Sequence, residues 1–194
     1  MKKGIVVYKG KYGATRQYAE WLGAELALPV QPAEKLTREK LSSFDYLVIG
    51  SSVYIGKLLM GKWLRKNLAL LTGKTLFLFI VCATPDSDPT TQAGIIKRNV
   101  PASLLGQLNI SFLPGRLVRH KLSWQDALLL RLGGWAEKDP VKKKAMSRDI
   151  DEVKMENLSK ILESVRRFTS GSPAASSKEY PAADRPSPAG SGNR

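Results

Sequence analysis

One stretch near the start, Ile5-Val6-Val7-Tyr8-Lys9-Gly10-Lys11-Tyr12-Gly13-Ala14-Thr15, constrains the fold most. A β-branched run stops at a loop with two glycines and a threonine, and an amphipathic helix pattern begins at once. Strand, glycine loop and helix start are the parts of an anion site. The glycines let the backbone come close, and the first helical turn offers unpaired N–H groups at the positive end of the helix dipole. Thr15 stands where a side chain caps such a helix or gives its hydroxyl to a phosphate. An ordinary βα turn uses the same residues, so this segment alone leaves both readings open.

The pattern repeats downstream. Asp45-Tyr46-Leu47-Val48-Ile49-Gly50 reads as a buried strand that runs into Ser51-Ser52-Val53-Tyr54-Ile55-Gly56-Lys57, and a helix follows over 61–71. Thr75-Leu76-Phe77-Leu78-Phe79-Ile80-Val81-Cys82 reads as another, leading to Ala83-Thr84-Pro85-Asp86. In an open parallel sheet such loops gather at the carboxyl edge, where ligands bind at the topological switch point. Around these junctions the spacing predicts a helix over 15–27, with Tyr18, Trp21, Leu22 and Leu26 at helical intervals, and a weak strand at Val30-Gln31. It also predicts a helix over 91–99, weakened by Gly94 and ended by Pro101, a strand over 108–113, and a last helix over 150–168. Ile150, Val153, Leu158, Ile161, Leu162 and Val165 are that helix's expected buried stripe.

A chain of 194 residues suffices for one domain with a sizeable core. It has no apolar run long enough to span a membrane, and only two lysines precede the first strand, so no signal peptide is expected and a cytoplasmic protein follows most simply. Cys82, the single cysteine, is expected to be a core thiol. Asp86 and Asp88, set beside Pro85 and Pro89, read as turn residues, and no metal-ligand cluster stands out. The net charge is +14. Residues 170–194 contribute only Lys178, Arg185 and Arg194 against Glu179 and Asp184, so the excess belongs to the folded part, taken as 1–169. That tail is rich in Ser, Pro, Ala and Gly and is expected to be disordered. A positive field of this size favours polyanions, anionic membrane surfaces or carboxylate-bearing substrates.

An insertion over 114–147 is the second informative region. Arg116, Arg119, His120 and Lys121 precede the apolar segment Leu122 to Leu132, which contains Trp124 and begins with a capping-box pattern at Ser123 and Asp126. Trp135 and Lys142-Lys143-Lys144 follow. A short helix of this kind packs onto its domain, lids a ligand or lies in a membrane interface. His120, the only histidine, reads as a surface or packing residue.

On these residues the chain resembles the flavodoxin family over about 1–168. Lys9, Gly10, Lys11, Tyr12, Gly13, Ala14 and Thr15 are similar to the family's FMN-phosphate loop. Ser51, Ser52, Val53, Tyr54, Ile55 and Gly56 resemble the loop beside the inner face of the isoalloxazine ring, and Ala83, Thr84, Pro85 and Asp86 the third flavin loop. The branch it resembles most is that of the menaquinone-dependent protoporphyrinogen dehydrogenases. The shared features are the opening arrangement, the small-residue junction after Ile49 and the basic, apolar loop before the last helix. Gly10 and Tyr12 depart from the family, standing where serine or threonine is common, which shifts the phosphate contacts towards backbone N–H groups and Lys9 or Lys11. Tyr54 is the residue expected beside the flavin ring.

The resemblance implies an α/β, flavodoxin-like open parallel five-stranded sheet with helices on both faces. It implies FMN as cofactor, no metal, and no identified catalytic side chain, because the flavin carries the chemistry. Two functions follow from it. One is an FMN-dependent oxidoreductase that oxidises protoporphyrinogen IX or a related substrate with a quinone acceptor. The other is a flavodoxin-type electron carrier that docks an acidic redox partner protein. Peripheral contact with an anionic membrane at the inner face, through 116–144, is expected of the first. Nucleic-acid binding is not expected, because the basic residues are spread over several loops without a recognised motif.

Overall fold

The computed structural model describes residues 2–82, 89–118 and 149–171. In chain order the elements are β1 (Gly4–Lys9), α1 (Ala14–Leu26), β2 (Val30–Pro32), α2 (Arg38–Ser42), β3 (Tyr46–Tyr54), β4 (Lys57–Leu58), α3 (Gly61–Lys66) and α4 (Leu68–Leu71). After them come β5 (Thr75–Cys82), α5 (Pro89–Asn99), β6 (Leu108–Pro114), β7 (Arg116–Leu117), β8 (Ile150–Asp151) and α6 (Ser159–Ser170). Five strands form one parallel sheet in the order β2-β1-β3-β5-β6, and β4 pairs antiparallel with the end of β3. The expected five-stranded parallel architecture is therefore present, with the short β4 added to it.

Alternation along the apolar runs sorts the two faces of the sheet. Ile5, Val7, Leu47, Ile49, Leu76, Leu78 and Ile80 face Leu41, Leu64, Leu71 and Ile96 of α2, α3, α4 and α5. Val6, Val48, Phe77, Phe79 and Val81 face Tyr18 and Leu22 of α1 and Ile161 and Val165 of α6. A run buried on both sides reads as continuously apolar, which is why β1, β3 and β5 stand out in the sequence. The chain order reverses between β1 and β3, so their carboxyl ends border the switch-point crevice.

Three boundaries differ from expectation. The helix expected over 61–71 is divided at Asn67, whose φ of −106° interrupts the helical path. The stretch after Gly50 is not a loop: β3 continues through Ser51, Ser52, Val53 and Tyr54 before turning. The last helix begins at Ser159 rather than near 150, because the backbone of 150–152 bonds elsewhere. Ile150 and Asp151 pair with Leu117 and Arg116, and Glu152 N–H donates to the Gly115 carbonyl at 3.2 Å. The third flavin loop (83–86), most of the 114–147 insertion with His120, and all but 170–171 of the expected tail lie outside the described residues.

Candidate functional site

The first wall of the crevice is the loop between β1 and α1. Lys9 ends β1 in register with Ser51 of β3, and its ammonium pairs with Glu34 at 2.6 Å. That hydrogen bond holds the Glu34 carboxyl below its ordinary range. Gly10 lies against Thr15: a Cβ at position 10 would stand 2.6 Å from the Thr15 Cβ and 2.7 Å from its Oγ1. Gly13, at φ 86°, is the N-cap of α1, a left-handed conformation that glycine adopts without penalty. Thr15 is therefore not the cap. It lies in the first turn, 1 % exposed.

The start of α1 carries no side-chain cap and no acidic residue in its first turn. Its first N–H groups thus keep the unpaired, electropositive character that suits an anion. The hydroxyl of Tyr12, the residue before the Gly13 cap, is buried with no hydrogen-bond partner among the described residues.

The second wall is the extended end of β3 and the hairpin to β4. Val53 pairs with Leu58 and Tyr54 with Lys57, leaving Ile55-Gly56 as a two-residue turn. Both turn residues have positive φ, 49° and 67°, the signature of a type I′ hairpin. Glycine suits the second position. Isoleucine at the first is a strained choice for a β-branched side chain. Asn99, at the end of α5, holds the turn in place. Its Nδ2 donates to the Gly56 carbonyl at 2.9 Å and to the Ile95 carbonyl at 2.8 Å, while its Oδ1 accepts from Leu58 N–H at 3.1 Å. Ser51 is buried and its Oγ accepts from Met60 N–H at 3.1 Å, so it positions the chain after the hairpin rather than facing the crevice. The neighbouring Ser52 hydroxyl is buried and unpartnered among the described residues. Ile55 is 65 % exposed at the tip.

Lys11 connects the two walls: its ammonium lies 4.1 Å from the Tyr54 ring centroid and 5.5 Å from that of Tyr12. Residues 9–15 and 51–56 are thus brought to one edge, with Lys9 and Ser51 turned to structural tasks.

Two contacts near this edge escape sequence reasoning. The Tyr18 hydroxyl donates to the Pro114 carbonyl at 3.0 Å and accepts from Asn157 Nδ2 at 2.8 Å, and burial raises its pKa. Arg116 pairs with Asp151 at 2.7 Å and donates to Gln17 of α1 at 3.0 Å. The β7–β8 ribbon from which the 118–149 segment departs and returns is therefore rooted on α1. Asn157, Arg116 and Gln17 carry no local motif, so only the fold reveals them.

The residues present fit FMN. An uncapped, acid-free helix start, a glycine packed against a buried threonine, and orphaned hydroxyls at Tyr12 and Ser52 are what a phosphate ester with a polyhydroxyl chain would meet. Among the described residues no group of His, Cys, Asp and Glu could hold a metal ion, and no helix is long and apolar enough to cross a membrane.

Several solved structures resemble the chain. The chain is similar in structure to a flavodoxin from the Archaea, at 19% identity and a TM-score of 0.38, covering 75% of this chain and 99% of that one. It is similar also to oxidised Flavodoxin 2 from Bacillus cereus, at 16% identity and a TM-score of 0.44, covering 75% and 92%. A third likeness is to two-electron reduced Megasphaera elsdenii flavodoxin, at 14% identity and a TM-score of 0.44, covering 56% and 84%. No curated protein matches the chain. The flavodoxin-domain family model matches residues 5–144, which span both walls of the crevice. The chain belongs to the flavodoxin-domain family, and its cofactor is FMN.

Proposed function

We propose that the chain is an FMN-dependent oxidoreductase whose donor is a reduced, anionic molecule, protoporphyrinogen IX or a relative, and whose acceptor is a quinone. FMN, when bound, supplies the redox chemistry. The protein's part is to hold and orient it. The N–H groups of the first turn of α1 receive the phosphate, and Lys11 adds a cation between the two walls. Tyr54 offers an aromatic face, and the Tyr12 and Ser52 hydroxyls offer polar contacts inside the crevice. The observation that carries the anionic donor is the charge of this edge: the described residues of 46–118 include no Asp or Glu. Along that stretch a substrate's propionates would meet cations and no described carboxylate. The test is anaerobic incubation of FMN-loaded protein with protoporphyrinogen IX and a menaquinone analogue, followed by porphyrin fluorescence. Porphyrin formation above the uncatalysed rate, dependent on both protein and quinone, is expected. An FMN-saturated protein that adds nothing to the background rate overturns this substrate assignment.

The same charge favours a second reading, an electron carrier that docks an acidic partner and turns over no small molecule of its own. Such a protein would exchange electrons with the partner while leaving porphyrinogen untouched.

A further inference from the structure

Two neighbouring residues of α1 hold both strands of the β7–β8 ribbon. Gln17 Oε1 accepts from Arg116 Nη2 at 3.0 Å, while Arg116 Nε donates to Asp151 Oδ2 at 2.7 Å, so one planar fork joins the helix, β7 and β8. The hydroxyl of the buried Tyr18 donates to the Pro114 carbonyl at 3.0 Å and accepts from Asn157 Nδ2 at 2.8 Å. Asn157 Nδ2 also donates to the Glu152 carbonyl at 2.8 Å, and Glu152 N–H donates to the Gly115 carbonyl at 3.2 Å. A closed circuit of hydrogen bonds therefore runs from α1 to the end of β6, across to Glu152 and back. The ribbon itself is two residue pairs long, Arg116 with Asp151 and Leu117 with Ile150. A two-stranded ribbon of that length is not stable alone in water, so its closure depends on these ties.

The start of α1 depends on the same ties. Gly13 gives it no side-chain cap, and a capping side chain would occupy the N–H groups proposed for the phosphate. An anion site at a helix start thus leaves that start without its usual support. Gln17 N–H closes the first turn by donating to the Gly13 carbonyl at 2.9 Å. The side chains of Gln17 and Tyr18 are the ones the ribbon holds, one turn beyond the cap. We infer that Arg116 is a positioning residue for the cofactor: it fastens the ribbon to Gln17, and the fastened ribbon steadies the first turn of α1 as the receptor of the FMN phosphate. The ribbon opens and closes on α1 as a local unfolding unit, and FMN favours the closed state. Coupling of this kind is reciprocal, so FMN closes the ribbon by the same factor by which the closed ribbon strengthens FMN binding. The role presupposes the proposed seat of the FMN phosphate at the start of α1.

The test titrates FMN into full-length protein by fluorescence quenching and follows amide hydrogen exchange at 115–118 and 149–152 by mass spectrometry. Arg116→Met keeps the apolar stem and removes the fork. It should weaken FMN binding by about fivefold or more, the lower end of such couplings. Gln17→Ala should do the same, and the double variant should lose no more than about twofold beyond either, because both break one link. Arg166→Met removes the 2.8 Å pair with Glu25 at the far end of α1 and should change FMN affinity by less than about twofold. Circular dichroism and a Tm within a few degrees of the unaltered protein confirm that each variant folds. Saturating FMN should slow exchange in the ribbon of the unaltered protein by about fivefold and leave it nearly unchanged in Arg116→Met, a response that a merely structural arginine would not give. The inference is overturned, with the cofactor assignment intact, by any of four results: unchanged FMN affinity in Arg116→Met, additive losses in the double variant, an equal loss in Arg166→Met, or ribbon exchange indifferent to FMN. An unaltered protein that takes up no FMN overturns the cofactor assignment and the role of Arg116 with it.

Discussion

Substitution of Gly10 by alanine tests how the first loop is built. The new Cβ would lie 2.6 Å from the Thr15 Cβ and 2.7 Å from its Oγ1, where ordinary contact begins near 3.4 Å. Rotating Thr15 about χ1 moves Oγ1 but not Cβ, which the backbone of α1 fixes. Thr15 is 1 % exposed, so it has no open space to retreat into. Relief requires the loop and the start of α1 to separate by roughly 1 Å, and overpacking of this kind typically costs about 1–3 kcal/mol. In a domain of this size each kcal/mol lowers Tm by about 2–4 °C, so a fall of several degrees is expected. The same movement displaces the N–H groups that we propose as the phosphate's site. If about 1.4 kcal/mol of the cost is felt there, FMN affinity falls about tenfold, measured by fluorescence quenching.

Gly13→Ala provides the contrast. Nothing lies within 4 Å of its Cβ position, so its cost is only that of a φ of 86° in a residue with a side chain, about 1 kcal/mol. Thr15→Gly removes both clashing atoms, so the Gly10→Ala, Thr15→Gly double variant should be more stable than the sum of the single effects. Additive losses, or a Gly10→Ala protein with unchanged Tm and unchanged FMN affinity, would refute this account of the loop.

Ile55→Asn replaces a β-branched residue at φ 49° with one suited to the first position of a type I′ turn, and should stabilise the fold by about 1 kcal/mol in urea unfolding. Asn99→Leu leaves the Gly56 carbonyl and Leu58 N–H without their partner, which should cost about 1–3 kcal/mol. With FMN bound, the same change should shift the cofactor's midpoint potentials, because it frees the turn; unchanged potentials in a binding-competent variant would show that the turn does not reach the ring. Glu34 is held below its ordinary pKa of 4.5 first by its hydrogen bond from Lys9, so the folded state binds fewer protons than the unfolded one. The stabilisation is complete above that pH and is lost as the pH falls through the lower folded value. Glu34→Gln should accordingly flatten the acid side of a Tm–pH profile by a few tenths of a kcal/mol, the scale of an exposed pair.

The two walls of the crevice differ in how far the sequence reveals them, and the difference is one of locality. The first wall is a strand end, a glycine loop and a helix start, consecutive in the chain, and each residue's contribution follows from its neighbours: Gly13 takes the left-handed cap, and the helix begins on Ala14. The buried strands are legible for a related reason, since a run apolar on both faces announces itself without its partners.

The second wall depends on distant residues. Tyr54-Ile55-Gly56-Lys57 does not read as a hairpin, because a β-branched residue stands where the turn requires positive φ. What holds it there includes Asn99, 43 residues beyond the Gly56 carbonyl it binds. In sequence Asn99 looks like any polar residue closing a helix. The same holds for 150–158, where Ile150, Val153 and Leu158 mimic a helical stripe, yet the backbone of 150–151 is claimed by a strand at 116–117. In both places local propensity is overridden by pairing across the fold. Both lie beside the crevice: the strained turn forms one wall, and the ribbon roots the long insertion on α1 next to the other. A backbone conformation that its own sequence does not favour persists only where tertiary contacts enforce it. The strain at Ile55 is therefore an argument that the shape of this wall serves something other than the stability of the sheet.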